Sequence, residues 1–345
     1  MKAAVYEGIE KILVEEVDDP VCGDDNIIVS VKSCAICGTD LRTFHHGKSN
    51  VKPPQILGHE IAGVVDKVGK DVSEFSEGDR VSVAAIVSCG ICRYCRKERP
   101  NLCENFTAIG YEHPGGFAQK LAVPAQMLGD GSVTKIPDNL SFDEACIAEP
   151  FACAINGQEL SKVAEGDNVV IIGAGPVGCM HIGLARAKGA GKIILVELSE
   201  SRLEMAKKFN ADVYVNPETE DVISKVLSET DNRGADVIIV AAPSGKAQED
   251  AVSMAAPSGR INFFGGLPKN NPIVKIDSNI VHYKELFING TSGSLPRHNK
   301  SALDLFSSGA VSAKGFITHT FPLDEILEGI RTVELGESLK VIIHP

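Results

Sequence analysis

The chain has 345 residues, a formal net charge of -12 and lysines and arginines dispersed along its length. That length predicts about two domains of ~150 residues, each able to bury a core, and the scattered acidic charge argues against nucleic acid as a partner. The N-terminal MKAAVYEGIEKILVEE is charged every few residues, and the longest weakly charged run, VVIIGAGPVGCMHIGLA, is broken by glycines, a proline and a histidine. Neither reads as a secretion signal or a membrane span, so a cytoplasmic protein is expected.

From residue 1 to about 150, short β-branched runs alternate with Gly and Pro turns: IIVSVKS at 27–33, EIAGVVDKVG at 60–69, GDRVSVAAIV at 78–87 and GGFAQKLAVP at 115–124. This is the texture of an all-β or barrel-like domain. Inside it lies SCGICRYCRKERPNLC, with Cys89, Cys92, Cys95 and Cys103. Three readings compete for these thiols: a disulfide cluster, a nucleic-acid-binding zinc knuckle and a structural zinc lobe. A reducing compartment argues against disulfides among the ten cysteines, and a tight cluster of thiols then holds metal. Four thiolates leave no open coordination position, so this set reads as structural zinc. The basic run Arg93 to Arg99 reads as a solvated loop face, because no patch elsewhere extends it.

A second set has mixed donors: Cys37 in CAICGTD, His59 and Glu60 in LGHE, and Glu149 in AEPFAC. One thiolate, one imidazole and one or two carboxylates suit a zinc site with room for an alcohol oxygen. Cys146 and Cys153, which flank Glu149, are expected to be buried rather than to ligate.

From Asn168 strands and helices alternate. Strands are predicted at NVVIIGAG, KIILVEL, ADVYVN, ADVIIVAAP, GRINFFGG and ELFINGT; helices run to Lys188, at LEMAKKF, at VISKVLSE and around Gln248 to Ala255. This order predicts a doubly wound parallel sheet. Gly173, Gly175, Pro176, Val177 and Gly178 form a GxGxxG turn between a strand and a helix, with Glu197 ending the next strand. Gly173 serves the tight turn, Gly175 the approach of backbone to a pyrophosphate, and Gly178 the packing of helix on strand. Glu197 would accept hydrogen bonds from both ribose hydroxyls and repel a 2′-phosphate, favouring NAD, although Arg202 lies near enough to meet a phosphate. After about residue 290 come a helix at LDLFSSG, the segment ITHTFPLDEILEGIRTVELG and a final strand LKVIIHP. This tail has no place in a parallel sheet and is expected to rejoin the first domain.

CGTD at 37–40, GHE at 58–60, the four-cysteine segment, GGFA at 115–118, EP at 149–150 and GAGPVG at 173–178 occur in an order that resembles the zinc-dependent medium-chain dehydrogenases. The EP dipeptide resembles their sorbitol and polyol dehydrogenase branch. The resemblance implies an α/β chain with a GroES-like β-rich catalytic domain over residues 1–152, including a structural zinc lobe at 88–104. A Rossmann NAD-binding domain would span 153–290, and 291–345 would return to the catalytic domain.

By the same resemblance, Cys37, His59 and either Glu60 or Glu149 would bind a catalytic zinc, giving two zinc ions per chain, and Thr39 would pass a proton from the alcohol. Asp40 would organise its loop. Arg42 stands where many relatives carry a relay histidine, a task that would fall to His45 or His46. Asn156 likewise stands where relatives often have histidine, and Arg297 would meet substrate hydroxyls. The implied reaction is NAD-dependent oxidation of a secondary alcohol of a polyol, cyclitol or sugar-alcohol phosphate by a homodimer or homotetramer. Simple alcohols and L-threonine are the alternative substrates, and a non-catalytic zinc-binding protein is the alternative of another class.

Overall fold

The apolar runs near the N-terminus pair mainly with one another. In the computed structural model, which describes residues 1–345, Ile27–Ala35 is the hub of a seven-stranded sheet. It lies antiparallel to Glu60–Val68 along most of its length, to Lys120–Val123 through Ile27–Ser30, and to Lys340–His344 through Cys34–Ala35. Register shifts at Ile28/Val29 and Val31/Ser33 bend and twist the strand. This curvature wraps the sheet around Tyr6, Ile27, Leu57, Ile61, Phe117 and Leu121, all 2 % exposed or less.

The expected strand at 78–87 divides. Arg80–Val83 stays in the sheet, whereas Ile86–Val87 leaves it to pair with Thr107–Ala108. That two-stranded ribbon pins both ends of the cysteine segment. Three helices interrupt the all-β texture: Gly38–His46, Phe142–Cys146 and Ala148–Leu160. The first has a cysteine as its cap, since Cys37 Sγ accepts from Thr39 N–H and the Asp40 carboxylate accepts from Cys37 N–H.

Met1–Ala152 and Ser294–Pro345 form one compact unit, and Cys153–Gly293 forms the other. The tail enters the first unit as a strand, Ile317–Pro322, parallel to Lys340–His344. The second unit is built on six parallel strands whose spatial order is third, second, first, fourth, fifth and sixth. Its inner strands Asn168–Ile172, Lys192–Val196 and Ala235–Val240 are almost entirely buried, as the unbroken Val/Ile runs of a helix-covered parallel sheet require. Ser199, Asp221, Ser244 and Asp277 cap the helices that follow their strands or loops. No helix is long and apolar enough to cross a membrane.

Candidate metal centres and dinucleotide loop

Strand pairing brings Cys37, at the end of the hub strand, beside His59 and Glu60, at the start of its neighbour. One ligand atom from each lies within 4.8 Å of the others, in a region where His59 is 5 % and Glu60 0 % exposed. Cys37 sits at a helix N-terminus, where backbone N–H groups favour a thiolate. Burial resists its ionisation, but His59 and Lys340 together bring the thiol down to about 7. Asp40 Oδ1 lies 3.5 Å from His59 Nδ1. Burial disfavours the imidazolium, yet Asp40, Tyr111 and Cys37 together hold its pKa well above the usual range.

Glu60 has two surroundings. Its Oε2 meets Lys340 Nζ at 2.5 Å, and Lys340 also donates to Ile36 O at 2.9 Å. Its Oε1 is buried without a hydrogen bond, a position that a cation would satisfy. Burial pushes the Glu60 carboxyl up to about 8 against the pull of Lys340. Thiolate, imidazole and carboxylate are a donor set suited to zinc with an exchangeable position.

Glu149, in the first turn of Ala148–Leu160, lies outside this triplet but shares its field. Burial raises its carboxyl to about 7, with His59 opposing and Glu60 adding to the shift. Thr39 follows Cys37 by two residues, and its Oγ1 accepts from Arg42 at 2.8 Å. His45 is not in the triplet: its Nδ1 faces Glu10 at 2.7 Å and its Nε2 faces Glu334 at 3.4 Å. His46 is exposed. Arg297 opens the helix Pro296–Ser307 and contacts His298 at 2.8 Å. It lines a hollow of about 360 Å³ with Glu74, Phe75 and Lys135, whose walls include none of Cys37, His59, Glu60 and Glu149. Cys146 is buried as expected, but Cys153 is only half-buried: it sits on a helix face that the apolar run does not cover completely.

The four-cysteine segment closes on itself. Its sulfurs gather within 4.8 Å, with separations of 3.5 Å for Cys92–Cys95, 4.0 Å for Cys92–Cys103 and 3.5 Å for Cys89–Cys103. A zinc–thiolate tetrahedron with ~2.3 Å bonds has edges of roughly 3.8 Å, so the set fits one ion. Backbone N–H groups draw Cys92 down to about 6, while burial and neighbouring thiols push Cys95 up to about 12. Arg93 pairs with Glu104 at 3.1 Å on the exposed side of the lobe, which fits a solvated face.

In the second unit Gly173 turns the chain at φ +108°, and a Cβ on Gly178 would lie 1.8 Å from Gly173 O. Gly175 caps the helix Pro176–Ala187 without any side chain, leaving first-turn N–H groups available to an anion. Val177 lies in that first turn. Glu197 accepts from Ala174 N–H at 2.6 Å and from Ser199 N–H at 2.9 Å, which anchors its carboxylate at the glycine turn. Arg202 is in the first turn of the next helix, its N–H capped by Ser199 Oγ. Asn156 donates to Gly293 O at 2.8 Å.

Sequence reading did not single out three residues around the triplet: Lys340, Tyr111 and Lys48. Only Lys340 left a signal, as a lone cation heading an apolar strand.

Residues 23–138 match the alcohol dehydrogenase GroES-like domain, and residues 176–308 match the zinc-binding dehydrogenase domain. An L-threonine 3-dehydrogenase of Pyrococcus abyssi (strain GE5 / Orsay) is 35 % identical over 351 aligned positions, covering 99 % of this chain and 97 % of that one. A sorbitol dehydrogenase of Bacillus subtilis (strain 168) is 32 % identical, covering 100 % and 97 %. Among solved structures, an alcohol dehydrogenase from Thermus sp. ATN1 superposes with a TM-score of 0.91 at 32 % identity, covering 100 % and 99 %. Two domain matches in the expected order, with full-length relatives, place the chain among the zinc-dependent medium-chain dehydrogenases, and it is an oxidoreductase of that family.

Proposed function

We propose that the chain oxidises a secondary alcohol of a polyol-like small molecule reversibly to the ketone, with NAD as hydride acceptor and two zinc ions per chain. The observation that carries this reading is the coexistence of two metal sets of opposite character: a buried Cys37–His59–Glu60 triplet with mixed donors and a closed Cys₄ lobe. Cys37, His59 and Glu60 would hold the catalytic ion, and Glu149 would respond to its charge. When bound, zinc lowers the pKa of a hydroxyl and the nicotinamide takes up hydride.

The chain's own residues do the rest. Asp40 Oδ1 lies 3.5 Å from His59 Nδ1, where it would orient the ring as carboxylates behind ligating histidines do. The Thr39 hydroxyl would relay the alcohol proton, accepting it only as its own hydrogen passes on to solvent water. Its oxygen already accepts from Arg42, so its hydrogen points elsewhere. Arg42 cannot itself accept a proton at any working pH. Outside the reaction, the strand Phe287–Gly290 is an outer strand of its sheet and carries Phe287 63 % exposed beside Tyr283 at 80 %. Such an edge supports assembly with further copies of the chain.

Turnover of sorbitol, inositols, 2,3-butanediol and polyol phosphates with NAD tests the reading, and detectable ketone from at least one is expected. L-Threonine is a second candidate because the Pyrococcus relative bears that name. Exclusive turnover of ethanol or L-threonine would overturn the polyol assignment.

Cofactor choice has its own test. Glu197→Gln keeps the side-chain size and removes the charge opposed to a 2′-phosphate, while its amide can accept from only one of Ala174 N–H and Ser199 N–H. One charge-assisted hydrogen bond is worth about 1.5–3 kcal/mol, so kcat/KM for NAD should fall roughly 10- to 100-fold while that for NADP rises or holds. An unchanged NAD/NADP ratio would remove Glu197 from the ribose site.

A further inference from the structure

Beside the triplet, Tyr111 carries a hydroxyl with no task in the hydride transfer. Its ring lies 5.3 Å from the ring of His59 at 57°. A phenol oxygen sits about 3 Å from its ring centre, so the hydroxyl is no more than about 8 Å from the centre of the imidazole. Burial raises its pKa to about 12, with His59 opposing and Cys37, Asp40 and Glu149 adding to the shift, so the phenol keeps its proton at neutral pH. Tyr111 is half-buried, and its backbone carbonyl accepts from Gln55 Nε2 at 2.7 Å. The hydroxyl makes no hydrogen bond within the chain and is not sealed from solvent. A tyrosine hydroxyl in such a place ordinarily has a partner, and this one is open to a partner from outside the chain.

The position of the ring is built into the backbone. Gly110, at φ +78°, approaches Gly58 so closely that a Cβ would lie 2.8 Å from Gly58 O, and a Cβ on Gly115 would lie closer still to the same oxygen. Gly115 N–H donates to Ile56 O at 2.8 Å and Gly116 N–H to Gly58 O at 2.9 Å. The loop that carries Tyr111 is therefore seated on the residue next to His59. Within the loop, Tyr111 N–H donates to Ala108 O at 3.2 Å, and Glu112 accepts from Ala108 N–H at 3.0 Å and from Asn50 Nδ2 at 2.7 Å.

We propose that Tyr111 is a specificity-determining residue whose hydroxyl hydrogen-bonds a second hydroxyl of the substrate, on the carbon next to the one oxidised at the Cys37–His59–Glu60 triplet. The preferred substrates are then vicinal diols. This rests on the function proposed above. A phenol both donates and accepts, as an alcohol hydroxyl does, and being neutral it offers no counter-charge to a carboxylate, phosphate or ammonium. Its short reach to the imidazole suits a group on the neighbouring carbon rather than a distant one. An alcohol that lacks the second hydroxyl leaves the phenol unpaired beneath it, and a site built to hydrogen-bond a hydroxyl discriminates by that loss.

The test uses pairs that differ in one hydroxyl: 2,3-butanediol with 2-butanol, and 1,2-propanediol with 2-propanol. Wild type is compared by NAD-coupled kinetics with Tyr111→Phe, which keeps the ring beside His59, once circular dichroism and zinc content are shown to match. Wild type is expected to have a kcat/KM at least about tenfold higher for the diol of at least one pair. Tyr111→Phe should lower the value for that diol about tenfold, mainly through KM, and leave the mono-alcohol within about twofold, because the lost hydrogen bond is made only to the diol. The chain has five tyrosines and no tryptophan, so tyrosine emission reports binding without turnover. Adding the diol should change that emission in wild type, and the change should be absent from Tyr111→Phe. Equal losses on both members of a pair, no preference of wild type for the diols, or the same emission response in the variant would overturn the assignment of Tyr111 while leaving the dehydrogenase reading intact. Absence of turnover on every secondary alcohol would overturn both.

Discussion

Replacing Cys37 by serine removes alcohol oxidation from a folded chain: kcat/KM falls by at least about 1000-fold, or about 4 kcal/mol of transition-state stabilisation. The reason is the ionisation of one group. The Cys37 thiol reaches about 7 because His59 and Lys340 together offset the burial that opposes its ionisation, whereas a serine hydroxyl stays protonated and is a poor zinc ligand. The same substitution spares the fold. Cys37 caps the helix Gly38–His46 through its side chain, and serine is a strongly preferred cap. Asp40 still closes the capping box by accepting from the backbone N–H of residue 37. Circular dichroism should therefore match wild type and Tm should fall only by what the lost ion supplied, while the metal content expected for the wild type, two zinc ions, drops to one. A Cys37→Ser chain that kept more than a tenth of its turnover, or kept both ions, would move the reaction away from this triplet.

Legibility in the sequence depended on how local each feature is. Cys89, Cys92, Cys95 and Cys103 lie within one loop, so their spacing alone implied a shared ion, and the sulfurs do meet. GAGPVG was legible because each glycine answers a local steric demand, most severely at Gly178. Cys37 and His59 were legible as a pair only through their motifs, since register rather than spacing brings them together. Lys340 shows the limit. It reaches Ile36 and Glu60 across the sheet, from 304 positions along the chain in the case of Ile36, and nothing in the neighbourhood of either glutamate or lysine announces the pairing.

Side-chain direction was the other blind spot. His45 has the residue type of a proton relay but points to Glu10 and Glu334, and Arg297 lines a separate hollow. The helix at Gly38–His46 was hidden because its cap is a cysteine, which is not a usual start signal. Conversely, Arg42 was noticed as a departure, and its contact with Thr39 gives that departure a role: a fixed donor to the hydroxyl where a titrating group was expected.

Cys95→Ser is expected to do the opposite of Cys37→Ser, lowering stability before it touches chemistry. All four sulfurs of the lobe lie within 4.8 Å, and the loop carries only short 3₁₀ turns, Cys95–Lys97 and Pro100–Leu102, without a buried residue in either. With so little apolar packing, an ion bound there would be the dominant source of order in residues 88–104, and the ribbon Ile86–Val87 with Thr107–Ala108 holds the base of the loop. Structural zinc contributes roughly 10–16 kcal/mol in small zinc domains, and losing a quarter of that is about 3 kcal/mol. At about 2–4 °C per kcal/mol for a unit of roughly 200 residues, Tm falls by about 6–12 °C. Protease nicking should begin between Cys89 and Cys103. At a temperature where the variant remains folded, its kcat on the best alcohol should stay within about threefold of wild type, because none of the four sulfurs belongs to the Cys37–His59–Glu60 triplet. A variant that kept its Tm but lost turnover would show that the lobe takes part in catalysis, and the separation of a scaffolding ion from a reacting one would have to be abandoned.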